Sequence, residues 1–336
     1  MGYQVELTED SKVQIGLNIL NAPLEIAILI PCLNEELTIA HVISRFHAEL
    51  PGASIYVFDN NSTDHTVERA RENGAIILHE RRQGKGFVVQ RMFREINADI
   101  YVMVDGDGTY PAASVHALLE PVMIGDADMV IGSRLDPVSR SDFGLTNRLG
   151  NYFFLFLTRR LFDARINDML SGYRVFGRNI VKQLPLLSSG FEIETELTIK
   201  ALERGYRVIE LPVHLSNRPE GSYSKIRHVQ DGLLILKMIL SLARDYKPLT
   251  VFGTMGLLFV AASSIPGTSL VLEFLRTGLI SQISAILTAF LAFTGLICGM
   301  VGLVLHTIAR RFQELDLQMR VLGRELSDAS WDKRKE

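Results

Sequence analysis

Two stretches near the C-terminal end of this chain contain no Asp, Glu, Lys or Arg, namely Val251–Leu272 and Thr277–Ala309. An α-helix rises about 1.5 Å per residue and a bilayer holds roughly 30 Å of hydrocarbon, so each stretch is long enough to cross a membrane. We therefore predict two spans, at about 250–272 and 281–306, joined as a hairpin by the short connection Glu273–Gly278. The alternative is a helical hairpin buried inside a soluble protein.

Positive charges around the two stretches predict the orientation of the hairpin. Arg244, Lys247, Arg310 and Arg311 flank its outer ends, whereas the connection carries only Arg276. By the positive-inside rule, both outer ends face the cytoplasm.

The first apolar segment of the chain, Ile26–Pro31, is too short for a signal peptide and has no basic lead-in or cleavage site. We therefore expect a protein of the cytoplasmic membrane, with its catalytic part and both termini in the cytoplasm.

The segment after Arg311 has a helical pattern with an apolar seam. The seam has a 4-3-4-3-4 spacing and consists of Ile308, Phe312, Leu315, Met319, Leu322 and Leu326. A heptad seam indicates self-association into a homo-oligomer. An amphipathic helix on the bilayer surface is an equally open interpretation.

Residues 25–230 alternate between short apolar runs and helical patterns, after a polar extension over residues 1–24. The predicted strands are Ile26–Ile30, Ser54–Phe58, Ala75–Leu78, Ile100–Val104, Asp128–Ile131 and Tyr206–Val213. The predicted helices are Glu36–Leu50, Thr63–Asn73, Lys85–Asn97, Ala113–Ile124, Leu145–Phe162 and Phe191–Arg204. This alternation predicts an α/β domain with a mostly parallel, Rossmann-like sheet. A juxtamembrane helix (231–248), the hairpin (249–309) and the tail (310–336) follow.

The run Tyr101–Val104 is apolar without polar alternation, as expected of a strand buried on both faces, and it ends in Asp105-Gly106-Asp107. Two aspartates at the carboxyl end of a central strand suit Mg²⁺ or Mn²⁺, which keeps other positions for phosphate oxygens and water. A plain Asp-Gly turn is the alternative.

Two other predicted strands end in polar motifs, Pro31–Glu35 and Asp59–Asp64, and Gly84-Lys85-Gly86 opens a helix where an anion would be favoured. There is no GxGxxG after the first strand and no GxxxxGK[ST], which argues against dinucleotide dehydrogenases and P-loop NTPases. The net charge of −3 gives no sign of nucleic-acid binding, and two cysteines make a disulfide or zinc site improbable.

In chain order, these motifs resemble those of the family 2 glycosyltransferases, which have the GT-A fold. The resemblance covers residues 25–230 and rests on Pro31-x-x-Asn34-Glu35, Asp59-x-x-Ser62-x-Asp64, Gly84-Lys85-Gly86, Asp105-x-Asp107 and Gly132-Ser133-Arg134. Two later motifs, Asp168–Arg174 and Arg218–Lys225, resemble the branch that makes polyprenyl-phosphate sugars. That branch includes dolichol-phosphate mannose synthase and bacterial polyprenyl-phosphate glucosyltransferases.

The resemblance implies a binding site for a nucleotide diphosphate sugar. Its implied residues are Pro31, Leu33, Asn34, Glu35, Asp59, Asn61, Lys85, Asp105, Gly106, Ser171 and Gly172. Asp105 and Asp107 would hold the metal, with Asp107 also catalytic. Thr109, the candidate third metal ligand, stands where the mannose synthases have glutamine, which favours a UDP-sugar (glucose or N-acetylhexosamine) over GDP-mannose.

The resemblance also implies a polyprenyl phosphate acceptor, undecaprenyl or dolichyl phosphate. Leu145–Phe162 has aromatic bulk bracketed by arginines, which fits a helix at the membrane interface, with a core helix as the alternative. Guanidinium groups match phosphate oxygens, so Arg134, Arg148 and Arg218 are candidate acceptor residues, and Arg134 is also a catalytic candidate. Ser224 and Lys225, at the end of the motif Arg218–Lys225, are the other acceptor candidates.

The implied reaction is inverting sugar transfer at the cytoplasmic membrane face. A GDP-mannose-dependent dolichol-phosphate mannose synthase is the nearest alternative. A processive polysaccharide synthase would carry QxxRW, which is absent because the only tryptophan is Trp331. An alternative from another class is a non-catalytic, membrane-anchored sensor or scaffold that binds sugar nucleotides.

Overall fold

The computed structural model of the protein describes residues 24–134, 145–164, 166–216 and 228–332. Within these residues, seven strands form one sheet in the order β3-β2-β1-β4-β6-β5-β7. The strands are β1 (Ile26–Cys32), β2 (Ser54–Asp59), β3 (Ile76–His79), β4 (Ile100–Met103), β5 (Met129–Ser133), β6 (Arg174–Gly177) and β7 (Val208–Pro212).

The sheet is mostly parallel, which confirms the prediction. β1 pairs in parallel with both β2 and β4, and β5 pairs in parallel with β7. β6 is the exception, because it lies antiparallel between β4 and β5. β6 was not predicted from the sequence; it is a strand of four residues that begins two residues after Gly172.

Apolar runs explain the central strands. Ile28, Leu29 and Ile30 of β1 are fully buried, as are Val102 and Met103 of β4. Burial on both faces removes the need for polar alternation, so these segments read as continuous apolar runs. The polar residues that follow each run are therefore carried to the carboxyl ends of the strands.

The described residues form two compact units. The first contains the sheet and the helices α1 (Ile39–Glu49), α2 (Thr66–Glu72), α3 (Lys85–Glu95), α4 (Val115–Met123) and α6 (Arg178–Gln183). The second contains the helices α5 (Leu145–Phe162), α7 (Ile193–Glu203), α8 (His228–Tyr246), α9 (Pro248–Thr277) and α10 (Gln282–Asp332).

Helices α9 and α10 are long and apolar enough to cross a membrane, and only 11% of the most apolar window of each is buried. The connection between them differs from the prediction: α9 continues to Thr277 and ends at Gly278, whose φ of 71° is left-handed. Glu273 and Arg276 therefore belong to the helix, and the connection is 278–281. Glycine permits this helix stop because it has no Cβ.

The two hairpin helices approach each other closely through glycines. A Cβ on Gly256 would lie 2.6 Å from the carbonyl oxygen of Gly295, and one on Gly295 would lie 2.7 Å from Cγ2 of Val260. Small residues that let helix backbones approach are typical of membrane helix pairs, where lipid supplies no hydrophobic drive for association.

Candidate functional site

The carboxyl ends of four neighbouring strands bring polar side chains to one edge of the sheet. In the register of the sheet, Cys32 at the end of β1 pairs with Asp59 of β2, and Asp59 pairs with His79 of β3. Asp105 follows β4, the other neighbour of β1. This edge, called here the carboxyl edge, is where open α/β sheets bind ligands.

Lys85 and Asp105 form an ion pair at the carboxyl edge. Lys85 Nζ lies 2.5 Å from Asp105 Oδ1, and the two side chains are 11% and 28% exposed. Gly172 packs against the same carboxylate, since a Cβ there would lie 2.7 Å from Asp105 Cγ. The structure thus brings together three residues that the resemblance assigned to the donor site.

Thr109 contacts the second aspartate of the motif. Its backbone N–H and its hydroxyl both donate to Oδ1 of Asp107, at 3.0 and 2.7 Å, and Asp107 is only 6% exposed. The Thr109 carbonyl in turn accepts the N–H of Ser216 at 2.9 Å. Thr109 therefore fixes the orientation of the Asp107 carboxylate.

Gly106 lies tightly against β1. A Cβ at Gly106 would come within 2.7 Å of Cys32 Sγ, and its carbonyl accepts the Thr38 hydroxyl at 2.6 Å. The next glycine, Gly108, has a φ of +74°. Glycine is required at both positions, one for a close approach and one for a left-handed backbone.

The loop after β1 is tied to the loop after β2. Asn34, at a φ of 52°, donates its N–H to Ser62 Oγ at 2.9 Å and accepts the N–H of Thr63 at 2.7 Å. The N–H of Glu35 donates to Thr66 Oγ1 at 2.8 Å. Pro31 and Leu33, the other predicted residues of this segment, are partly buried.

Asp59 and the two residues that follow it, Asn60 and Asn61, shape the centre of the carboxyl edge. Asp59 Oδ1 accepts the N–H of Ser62 at 3.1 Å, and Asp59 Oδ2 lies 3.2 Å from His79 Nδ1. Asn60, which sequence reasoning missed, is buried and accepts the N–H of Gly84 at 2.7 Å. The predicted donor-site residue Asn61 donates to the carbonyl of Arg81 at 3.0 Å.

The segment after α6 supports the Gly84-Lys85-Gly86 turn. The N–H of Gly86 donates to the Ser189 carbonyl at 3.0 Å, and Lys85 Nζ lies 6.0 Å from the ring centroid of Phe191. Glu192, 6% exposed, accepts the N–H groups of Ser189 and Gly190 through Oε1, at 3.1 and 3.0 Å. Its Oε2 is buried without a hydrogen-bond partner among the described residues.

Ser171 and Tyr110 join the aspartate loop to the ends of β5 and β6. Ser171 Oγ donates to the Gly132 carbonyl at 2.6 Å, and Tyr110 Oη accepts the N–H of Gly172 at 3.0 Å. Tyr110, 7% exposed, carried no signal in the sequence because only the folded chain places it beside Gly172.

The acceptor candidates are described only in part. Arg134, directly after β5, is partly exposed and has polar contacts. Arg148 lies on α5, but its side chain is outside the described set, and Arg218, Ser224 and Lys225 lie outside the described residues.

The metal candidates provide oxygen ligands only. Among the described residues, no group of three His, Cys, Asp or Glu side chains is placed to hold a metal ion. Two carboxylates, with the remaining positions left to substrate phosphate and water, nevertheless match how Mg²⁺ is usually bound. Asp105 and Asp107 therefore fit a divalent cation that binds together with a diphosphate.

An α/β sheet with a lysine and two aspartates at its carboxyl edge is typical of proteins that bind a phosphorylated ligand together with a divalent cation. The family model for glycosyl transferase family 2 matches residues 27–184. Glycosyltransferase AglJ of Haloferax volcanii is 33% identical over 278 residues, covering 82% of this chain and 90% of AglJ. The chain therefore belongs to glycosyl transferase family 2.

Another relative and a solved structure agree with this assignment. Agl6 of the same organism, a low-salt glycan biosynthesis hexosyltransferase, is 31% identical over 226 residues, covering 66% of this chain and 54% of Agl6. Glucosyl-3-phosphoglycerate synthase from Mycobacterium tuberculosis has a TM-score of 0.58 at 22% identity, covering 72% of this chain and 86% of that chain. It shares the fold. The findings together support sugar transfer from a nucleotide sugar donor.

Proposed function

We propose that the chain transfers a hexose from a nucleotide diphosphate sugar to polyprenyl phosphate at the cytoplasmic face of the membrane. The observation that carries the proposal is the Lys85–Asp105 pair beside Asp107 in a chain that also has two helices long enough to span a bilayer. The description of Agl6 as a hexosyltransferase supports a hexose as the transferred group.

The chain's own residues account for most of the reaction. Lys85 provides a positive charge close to where the leaving diphosphate gains negative charge, and the low exposure of its side chain strengthens that interaction. A divalent cation on Asp105 and Asp107 would supply further charge neutralisation. Thr109 keeps the Asp107 carboxylate in one orientation, and Gly172 leaves space for that of Asp105.

The acceptor phosphate oxygen is anionic at neutral pH, so the transfer needs alignment rather than a strong base. The two anionic substrates repel each other, and Arg134, Arg148, Arg218 and Lys225 would offset that repulsion. Attack of the acceptor oxygen on the anomeric carbon as the diphosphate leaves inverts the configuration. A product that keeps the donor's configuration contradicts this proposal.

The exposed surface of α5 supports an interfacial position for that helix. Tyr152, Phe153 and Phe156 are 54%, 50% and 67% exposed, and Arg159 and Arg160 near the helix end are also exposed. Aromatic side chains beside arginines suit the headgroup region of a bilayer. We place this helix at the cytoplasmic membrane surface, where a lipid phosphate is delivered.

The apolar seam of α10 supports a homo-oligomer. Phe312, Leu315, Met319 and Leu322 are all more than half exposed, so the described chain alone does not cover the seam. Chemical crosslinking of the protein in membranes tests this. Crosslinked oligomers support self-association, whereas a protein that remains monomeric supports binding of the seam to the bilayer surface.

The decisive experiment incubates membranes containing the protein with Mg²⁺ or Mn²⁺, undecaprenyl phosphate, and a panel of UDP- and GDP-sugars. Free nucleotide diphosphate and lipid-linked sugar are both measured. Product from a UDP-sugar, lost in Asp107→Asn and kept in the exposed control Asp126→Asn, supports the proposal. Product from GDP-mannose alone supports the mannose synthase alternative.

Two other outcomes separate the remaining alternatives. Release of nucleotide without lipid-linked sugar means that the acceptor assignment is wrong. Metal-dependent nucleotide binding without turnover by any donor supports the sensor or scaffold.

A further inference from the structure

His79 lies at the carboxyl edge but has no role in the proposed reaction. β2 and β3 pair in register at Asp59 and His79, and β3 is the outermost strand at that side of the sheet. His79 Nδ1 lies 3.2 Å from Asp59 Oδ2. The Asp59 side chain is 6% exposed and that of His79 is 56% exposed. In this pair the imidazole is therefore accessible to solvent, whereas the carboxylate is buried.

The carboxylate determines which nitrogen of the imidazole carries the proton. An ionised carboxylate only accepts hydrogen bonds, so the nitrogen facing it, Nδ1, must be the donor. In the neutral ring Nε2 is then an acceptor. Within the described residues His79 Nε2 has no hydrogen-bond partner.

The charged groups around His79 have their own partners. Arg91 of α3 donates to the His79 backbone carbonyl and pairs with Glu95. The neighbouring Glu80 pairs with Arg82 at 3.1 Å, and the hydrogen bond from Arg82 lowers the pKa of Glu80. Among the described residues, the His79 ring therefore forms a hydrogen bond with Asp59 alone.

We propose that His79 is a further nucleoside-binding residue of the donor site, acting beside Asp59. Its Nδ1–H holds the carboxylate of Asp59, and its Nε2 accepts a hydrogen bond from an N–H or O–H group of the donor nucleoside. The inference deepens the proposed function and rests on it, because it requires a nucleotide sugar as substrate.

The test measures binding of UDP and of GDP, each with Mn²⁺, to the full chain in detergent by calorimetry. His79→Asn keeps an amide donor near the position of Nδ1 but has no counterpart of Nε2. We expect its Kd for the bound nucleotide to rise about two- to tenfold, the effect of one lost hydrogen bond. In turnover, the KM for the donor should rise while kcat changes little.

The chain offers a closely matched control. His116 pairs with Glu49 at the same 3.2 Å, and its side chain is 58% exposed. His116→Asn should leave the nucleotide Kd unchanged.

Each other outcome has a distinct meaning. Unchanged nucleotide affinity in His79→Asn overturns the inference while leaving the proposed function intact. Affinity that falls in His79→Ala and is restored in His79→Asn also overturns the direct contact, because His79 would then act only by holding Asp59. If the wild-type chain binds neither nucleotide, the proposed function fails and the inference fails with it.

Discussion

The carboxyl edge and the membrane hairpin both depend on glycine, but the glycines make room for different neighbours. At the carboxyl edge, Gly106 and Gly172 make room for the side chains of Cys32 and Asp105. In the hairpin, Gly256 makes room for the backbone of the opposite helix. The first arrangement positions the side chains of Cys32 and Asp105, and the second only allows two helices to approach. Substitutions in the two regions should therefore separate activity from stability.

We expect the largest effect from removing the positive charge of Lys85 at the carboxyl edge. Lys85→Met leaves Asp105 without its ion-pair partner and removes the charge that we propose stabilises the leaving diphosphate. We expect kcat to fall by about 10²- to 10³-fold, as for the loss of one preorganised electrostatic contact. Arg94→Met is the control, because it also removes a cation paired with a carboxylate, Glu95, on the same helix. Equal losses in both variants would mean that Lys85 has no special role.

Adding a single methyl group at the carboxyl edge should have the next largest effect. Gly172→Ala places a Cβ within contact distance of the Asp105 carboxylate, which must then move. Displacement of a reactive group by about 1 Å can reduce the rate by roughly 10²-fold, so we expect a tenfold to hundredfold loss of activity. Gly52→Ala, with nothing within 4 Å of the added methyl, is the control. A fully active Gly172→Ala enzyme would contradict this account of the Asp105 position.

The corresponding change in the hairpin should affect stability rather than nucleotide binding. Gly256→Leu places a side chain against the backbone of α10 and should lower the free energy of unfolding by about 1–3 kcal/mol, as overpacking does. Thermal unfolding in detergent measures this, and calorimetry should find the nucleotide Kd unchanged. Gly253→Leu is the control, because only Leu249 Cδ1, at 4.0 Å, is near its added Cβ. A changed Kd in Gly256→Leu would break the distinction between the two regions.

The smallest effect is expected at Thr109. Thr109→Val removes the hydroxyl that donates to Asp107 but keeps the backbone N–H that donates to the same oxygen. We expect a loss of about threefold to tenfold in kcat/KM, the effect of one ordinary hydrogen bond, because the backbone N–H still holds the carboxylate. Thr109→Ser should restore the wild-type value. A loss of several hundredfold would instead support direct binding of a substrate or metal by the hydroxyl.

The sequence predicted the parts of the fold and site that depend on local pattern. Asp105 and Asp107 could be placed because they directly follow an apolar run. The mostly parallel sheet followed from the alternation of elements, and the resemblance implied its GT-A type. Asn60, Tyr110 and His79 could not be found in this way, because their contacts join residues that are distant in the chain.

Two structural details show why local pattern was insufficient. β6 begins at Arg174 and runs against its neighbours, so it lies outside the alternation of strands and helices from which the other strands were predicted. The helix α9 continues past Glu273 and Arg276, because charged residues do not end a helix whereas Gly278 in a left-handed conformation does.

The position of β6 has a consequence for how the chain folds during its synthesis on the ribosome. β4 pairs with β6 through Met103 and Arg174, and the chain leaves the first unit after β5 and returns before β6. Closing such a long loop must precede the contacts that stabilise it, which slows formation of the sheet. Asp105 is synthesised before Gly172, so the nascent chain contains the carboxylate before it contains the glycine that packs against it. The chain enters the second unit again at α7 before it returns to β7, so no uninterrupted fragment consists of the first unit alone.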